Sequence, residues 1–205
     1  MNIKPLYRIN KFVLPLVLCL ALFSCVSNNP NKGEEVKVYR VSDLAQIQPV
    51  AIDAIRASAA TLSNALSTTI DTAGFKEAIA YCNLNANHLL NNISEEYGVT
   101  IKRTSSQLRN AANTPSDDEQ LILDFYASQE SLGKECVGEM SVVDGIYKYY
   151  QPIFVMDNCT KCHGIKGETL NKKASKKIAE LYPNDQATGY EAGDVRGLWV
   201  VTFKK

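Results

Sequence analysis

The chain has 205 residues carrying 22 basic and 22 acidic side chains, enough for one ordinary domain and too few for two. No basic patch rises above this balanced background, which argues against nucleic acid as a partner.

Residues 1–24 stand apart. Lys4, Arg8 and Lys11 precede an uninterrupted apolar run from Phe12 to Phe23, which ends in L-F-S-C (22–25). A basic start, a short apolar core and a small residue before the cut predict a secretory signal. The run is too short to span a bilayer comfortably, and the alternative is an anchor that stays attached. Leu22, Ser24 and Cys25 resemble the lipobox of bacterial lipoproteins. That resemblance implies that Cys25 becomes the mature N-terminus and carries acyl chains. The protein would then be held at a membrane of the cell envelope, on its periplasmic or extracellular side. Each buried CH2 of such a chain contributes about 0.8 kcal/mol to attachment. Losing three bases with the signal leaves 19 against 22 acids, so the mature chain stays nearly neutral. V-S-N-N-P-N-K-G-E-E (26–35) is polar and aperiodic and reads as a tether. The expected organisation is a signal over 1–24, a lipid-anchored linker over 25–40 and one domain over 41–205.

Within that domain, Leu44, Ile47, Ala51, Ile55, Ala59, Leu62 and Leu66 recur at helical spacing, predicting a helix over 42–68 that bends or starts at Pro49. Gly74 opens a second periodic run that Gly98 stops after Tyr97. V-T-I-K-R-T (99–104) alternates and is β-branched, hence a strand. After a loop, Ser116 can cap a helix whose Glu119 returns the bond; Gly133 ends it. Asp144-Gly145 between the β-rich flanks of 136–150 is the strongest hairpin cue in the chain. Lys173 to Leu181 reads as a short helix ended by Pro183, and G-L-W-V-V-T-F (197–203) as a final strand. Helices followed by antiparallel strands with helices between them predict an α+β domain.

Four cysteines remain after the lipobox: Cys82, Cys136, Cys159 and Cys162. Export permits a disulfide, and counting alone does not choose between that and metal work. C-T-K-C-H (159–163) has the spacing of covalent haem c attachment. Two thiols one tight turn apart can reach the two vinyl groups of one porphyrin edge. His163 then offers the iron its proximal nitrogen. Two other readings compete. Zinc would need two further ligands, which Cys82 and Cys136 could supply, but no second C-x-x-C occurs. A thioredoxin-like redox pair would need a βαβ setting that is missing.

The candidates for the iron's other side are His88, Met140, Met156 and Cys82. At ~100° per residue, Phe75, Ile79, Cys82, Ala86, Leu89 and Ile93 form the buried stripe of the second helix. His88 lies about 120° from Cys82 and points to the flank, so both cannot face one haem. Met156 is too close to Cys159 to swing across, whereas Met140 remains open. An ordinary core thiol is the bland alternative for Cys82.

A-I-A-Y-C (78–82), K-R-T-S-S-Q-L-R-N-A-A-N-T-P (102–115), C-T-K-C-H-G (159–164) and L-Y-P-N-D-Q-A-T-G-Y-E-A-G-D-V-R-G-L (181–198) together resemble the PAS-like c-type haem domains, a group also found at the sensory end of some histidine kinases. The resemblance implies long helices packed on a PAS-like antiparallel sheet. It also implies a haem c on Cys159 and Cys162, with His163 on one axial side and Cys82 on the other. Ala111 departs from the proline that the group carries after R-N, which puts the rigidity of that loop in question. Cys136 has no counterpart and reads as a free structural thiol, or as a disulfide partner of Cys82.

A thiolate ligand favours ferric iron and lowers the potential, and two protein ligands leave no open position. Electron transfer or redox sensing therefore ranks above catalysis, and the expectation is a non-enzyme with an unknown redox or signalling partner in the envelope. Arg103 and Arg109 are candidates to compensate the propionates, against a reading as solvated surface arginines. Tyr147, Tyr149 and Tyr150 are expected to alternate between core and surface. The competing function is an open-site haem that binds a small gas or peroxide, with His88 as its acid–base group.

Overall fold

The computed structural model describes residues 41–203. The expected signal, the lipidation site Cys25 and the linker to residue 40 lie outside the described residues. No described helix is long and apolar enough to cross a membrane.

Two helices, α1 (Val41–Ala73) and α2 (Phe75–Tyr97), are joined by Gly74 alone, at φ 90°. Only glycine adopts such a φ without strain, so the chain can reverse in one residue. Gly98, at φ 66°, ends α2 in the left-handed conformation that favours glycine after a helix. Pro49 sits within α1 and the helix runs through it. Proline removes one intrahelical donor there without ending the helix. Then follow β1 (Val99–Thr104), α3 (Asp117–Ser131), β2 (Glu139–Val143), β3 (Ile146–Phe154), α4 (Thr160–His163), α5 (Lys172–Leu181) and β4 (Val195–Phe203). Asp144 (φ 50°) and Gly145 (φ 72°) make the two-residue turn between β2 and β3, both in the positive-φ region that this turn demands.

The sheet is antiparallel throughout, in the order β1-β4-β3-β2. Alternation along β4 divides the core in two. Trp199 and Val201 join Val99, Ile101 and Tyr149 on one face, packed on Ala51, Ala54, Ile55, Leu90 and Ile93 of α1 and α2. Leu198 and Val200 join Tyr150 on the other, packed on Leu123 and Tyr126 of α3 and on Cys136. This is the expected α+β architecture. Covering both faces alters the tyrosine expectation: Tyr149 and Tyr150 are both buried, on opposite sides of an interior strand, and neither faces solvent. A third cluster, Ile79 with Leu170, Ala174 and Ile178, holds α5 against α2 and includes Cys162 at its margin.

Ion pairs fasten α3 to the sheet. Glu119, buried, meets Lys102 at 2.6 Å and accepts the Ser116 backbone N–H at 2.9 Å. Asp118 accepts from Lys148 Nζ at 2.7 Å, from the Tyr150 hydroxyl at 2.8 Å and from the Ser116 hydroxyl at 2.8 Å. Burial by itself would raise the Asp118 pKa, but these three donors outweigh it and hold the carboxyl down at about 2. A carboxyl depressed in the folded state stabilises the fold above its unfolded value, near 4, and loses that contribution as pH falls through its folded value. Urea unfolding of the wild type is therefore expected to show stability falling between about pH 4 and about pH 2. Asp118→Asn should be less stable at pH 7 and flatter across that window.

Candidate cofactor site

C-T-K-C-H is not an open loop. Asp157–Cys159 form a 3-10 turn that runs directly into α4, so Cys159 and Cys162 lie three residues apart on one helical turn. Such spacing puts two side chains on the same side. The Thr160 hydroxyl donates to the Asp157 carbonyl at 2.6 Å and locks the turn. Gly164 is required next. A Cβ there would stand 2.1 Å from Thr169 Oγ1 and 2.4 Å from the Thr160 carbonyl oxygen.

The segment 185–190 straps this turn down. Tyr190 N–H donates to the His163 carbonyl and Gly189 N–H to the Gly164 carbonyl, both at 3.0 Å. His163 Nδ1 lies 2.8 Å from the Ala187 carbonyl oxygen. A carbonyl cannot donate, so Nδ1 carries the proton and Nε2 keeps its lone pair. Burial first, then the charges of Arg109 and Arg196, push the imidazole pKa well below its ordinary value, so the ring is neutral.

Arg109 binds the strap to the turn. Its Nε donates to Asp185 Oδ1 at 2.9 Å, and its Nη2 donates to the Cys162 carbonyl at 2.7 Å and the Ala187 carbonyl at 3.1 Å. The Arg109 side chain is 12% exposed and that of Asp185 7%. Ala111 opens a short 3-10 turn in the same loop, where the Asn110 side chain accepts the Ala112 N–H at 3.0 Å and the Thr104 hydroxyl donates to the Asn113 carbonyl at 2.8 Å. The loop is thus held by side-chain hydrogen bonds in place of a proline.

These elements close one side of a cavity of about 540 Å³, within the range of about 300–1,000 Å³ usual for small-molecule and cofactor sites. Leu62, Leu66 and Ile70 of α1 and Phe75, Ile79 and Cys82 of α2 give it an apolar wall; Arg103, Arg109, Cys159, Cys162 and His163 line it as well, together with Arg196 and Tyr182. Burial raises the Cys82 thiol pKa, opposed by the Arg103 and Arg109 charges. Burial also pushes the Cys162 thiol up to about 11.

Arg103 lies 5.7 Å over the Trp199 ring, and its buried Nε has no hydrogen-bond partner among the described residues. Burial lowers its pKa, with Cys82 the leading opposing influence. An orphaned guanidinium nitrogen calls for an anionic group. A neutral imidazole with a free lone pair, three thiols and a buried cation therefore fit a haem carrying carboxylates. The surface-arginine reading fails for both Arg103 and Arg109.

The remaining candidates lie elsewhere. His88 is exposed and does not line the cavity. Met140 packs into the α1/α2 side of the core. Met156 borders the cavity but is 59% exposed. Cys136 lies in the α3 core, where its thiol approaches the Tyr126 carbonyl at 3.8 Å. The sheet separates it from Cys82, and both are free thiols. The four-ligand zinc arrangement is thus not assembled: among the described residues no cluster of three His, Cys, Asp or Glu side chains suited to a metal ion occurs.

Sequence reasoning missed Arg196, Asp185 and Tyr182. All three lie within the stretch 181–198, but a lone charged or aromatic residue in a loop carries no periodic signal. It also assigned Arg109 to propionates, whereas two of its nitrogens are engaged by the strap. Breaking a buried ion pair on one side costs about 3–5 kcal/mol. Arg109→Ala is accordingly expected to destabilise the apo-protein by that order in urea, and the Arg109→Ala/Asp185→Asn pair by clearly less than the sum of the singles. An additive pair would remove the strap's central contact.

A family model described as Tll0287-like matches residues 38–203. The crystal structure of the cyanobacterial heme-protein Tll0287 has a similar fold, with a TM-score of 0.53 at 17% identity, covering 82% of this chain and 98% of that one. No curated protein matches. With the family model spanning the whole described domain, the chain belongs to the Tll0287-like family.

Proposed function

We propose that the protein binds haem c covalently and serves in electron transfer or redox sensing, not catalysis. The supporting observation is that Cys82, Cys159, Cys162 and His163 line one cavity that also has a buried, unpaired arginine nitrogen. Haem, when bound, supplies one-electron chemistry. Cys159 and Cys162 would hold the porphyrin edge. His163 would offer Nε2, because Nδ1–H is committed to Ala187. Cys82 would be the second ligand. It must lose its proton to ligate, and the nearby Arg103 and Arg109 charges ease that loss. Arg103 would meet a propionate through its unpartnered nitrogen. Arg109, in this reading, acts chiefly by holding the attachment turn in place.

Tll0287, the cyanobacterial protein of similar fold, is a heme-protein, which supports the same cofactor here. In this reading Cys25 is lipidated, the domain is tethered to an envelope membrane, and a separate redox or signalling partner takes the output.

Co-expression with a haem attachment system tests the proposal. The chain should gain the mass of one haem, resist its extraction by acid acetone, and bind carbon monoxide poorly in the ferrous state. Cys82→Ala should open the iron to carbon monoxide and raise the midpoint potential by about 59 mV or more, a tenfold change for one electron. An unchanged ferric spectrum and potential in that variant would eliminate the thiolate ligand. Rapid carbon monoxide binding by the wild type would favour the open-site alternative.

A further inference from the structure

Arg196 is the cavity residue that the proposed function leaves without a role. It is the second residue of β4, and its position is fixed from several sides. Gly197 lets β4 approach β1 so closely that a Cβ would stand 2.2 Å from the Thr104 carbonyl oxygen. This brings Arg196 to Ser105, whose hydroxyl accepts from Nη1 at 2.6 Å. The guanidinium carbon lies 5.3 Å from the centre of the Tyr190 ring. Ser105 Oγ also accepts the Gln107 N–H at 3.1 Å and donates to the Gln107 carbonyl at 3.2 Å, so its capacity is full and the anchor is rigid.

The remaining side of the guanidinium meets His163. Arg196 Nε lies 3.3 Å from Nδ1. The Nδ1 proton already goes to Ala187 at 2.8 Å, so the arginine is not hydrogen-bonded to a lone pair there. It is a positive charge set against the N–H side of the ring. Among the described residues Arg196 forms no ion pair; Asp185, in contact with Arg109, acts on it only from a distance. The charge is therefore offset only in part, by Tyr190 and the more distant Asp185, and in a buried setting it acts over short distances with little screening.

We propose that Arg196 holds a permanent positive charge behind the His163 imidazole, favouring the reduced state of an iron bound at Nε2. A group beside the outer nitrogen of a ligating histidine tunes the metal through the ring. A carboxylate there makes the imidazole more basic and favours ferric iron; a cation does the reverse. Arg196 thus opposes the thiolate of Cys82 within one site. The inference rests on the haem reading given above.

The test is spectroelectrochemistry of the haem-loaded wild type, Arg196→Gln and Arg196→Lys, each first checked for one covalent haem by mass and for folding by thermal melting. Arg196→Gln should lower the ferrous-to-ferric ratio at fixed applied potential by about tenfold, which is 59 mV for one electron. Arg196→Lys keeps the charge and should stay nearer the wild type. Ser105→Ala frees one anchor while keeping the charge, and should change the ferric electron paramagnetic resonance anisotropy with a smaller shift in potential. It also serves if the glutamine variant fails to fold. Equal potentials in all loaded chains, with unchanged resonance spectra, overturn this inference alone. A wild type that takes up no haem overturns the haem reading and this one together.

Discussion

Arg109 is the contact on which the site depends, because it joins segments that the sequence keeps far apart. Its donors reach Asp185, Cys162 and Ala187. Without it the Cys159–His163 turn would be tied to the strap by the Tyr190 and Gly189 backbone hydrogen bonds and the Ala187 contact alone, and a turn of four helical residues is not stable by itself. The strap then sets the imidazole through Ala187, so a buried ion pair is converted into the orientation of one ring nitrogen. That explains why a charged residue is buried at all. Buried ion pairs rarely add net stability over apolar packing, but they can fix one arrangement among many.

The cavity has two characters, drawn from two levels of the fold. Its apolar wall comes from α1 and α2, whose joint through Gly74 makes them antiparallel neighbours in one step. Its cationic lining comes from Arg103 at the end of β1, the loop after it and the start of β4, all near one end of the sheet. Helical periodicity builds the first by burying one stripe. The second needs tertiary closure, since β1 and β4 are paired across most of the domain. A flat, largely apolar group with anionic substituents matches this division.

The features legible in the sequence were those with a local cause. Gly98 ends α2, Asp144-Gly145 turns the hairpin and Glu119 caps α3 because each acts on its immediate neighbours. The helical stripe likewise put Cys82 on a cavity wall and His88 outside it. What was not legible depended on closure. Arg109 reads as a cation, and only the fold supplies Asp185 and two carbonyls to absorb its donors. Tyr150 reads as half of an alternating pair, and only α3 on the second face buries it. Arg196 has no pattern around it; its significance comes from standing 3.3 Å from a nitrogen 33 residues away in the chain.

Three arginines line the cavity, and one of them is paired to a carboxylate. Arg103 spends its charge against the Trp199 ring and the Cys82 thiol, and Arg196 against the Tyr190 ring and the Ser105 hydroxyl. Aromatic faces and neutral hydrogen-bond acceptors compensate a buried guanidinium only in part. The fold therefore carries an electrostatic preference of its own for negative charge at this place, whether as thiolate or as carboxylate. Any group that brings such charge would stabilise the folded chain as it binds. Binding of such a group and the stability of the fold are then thermodynamically linked.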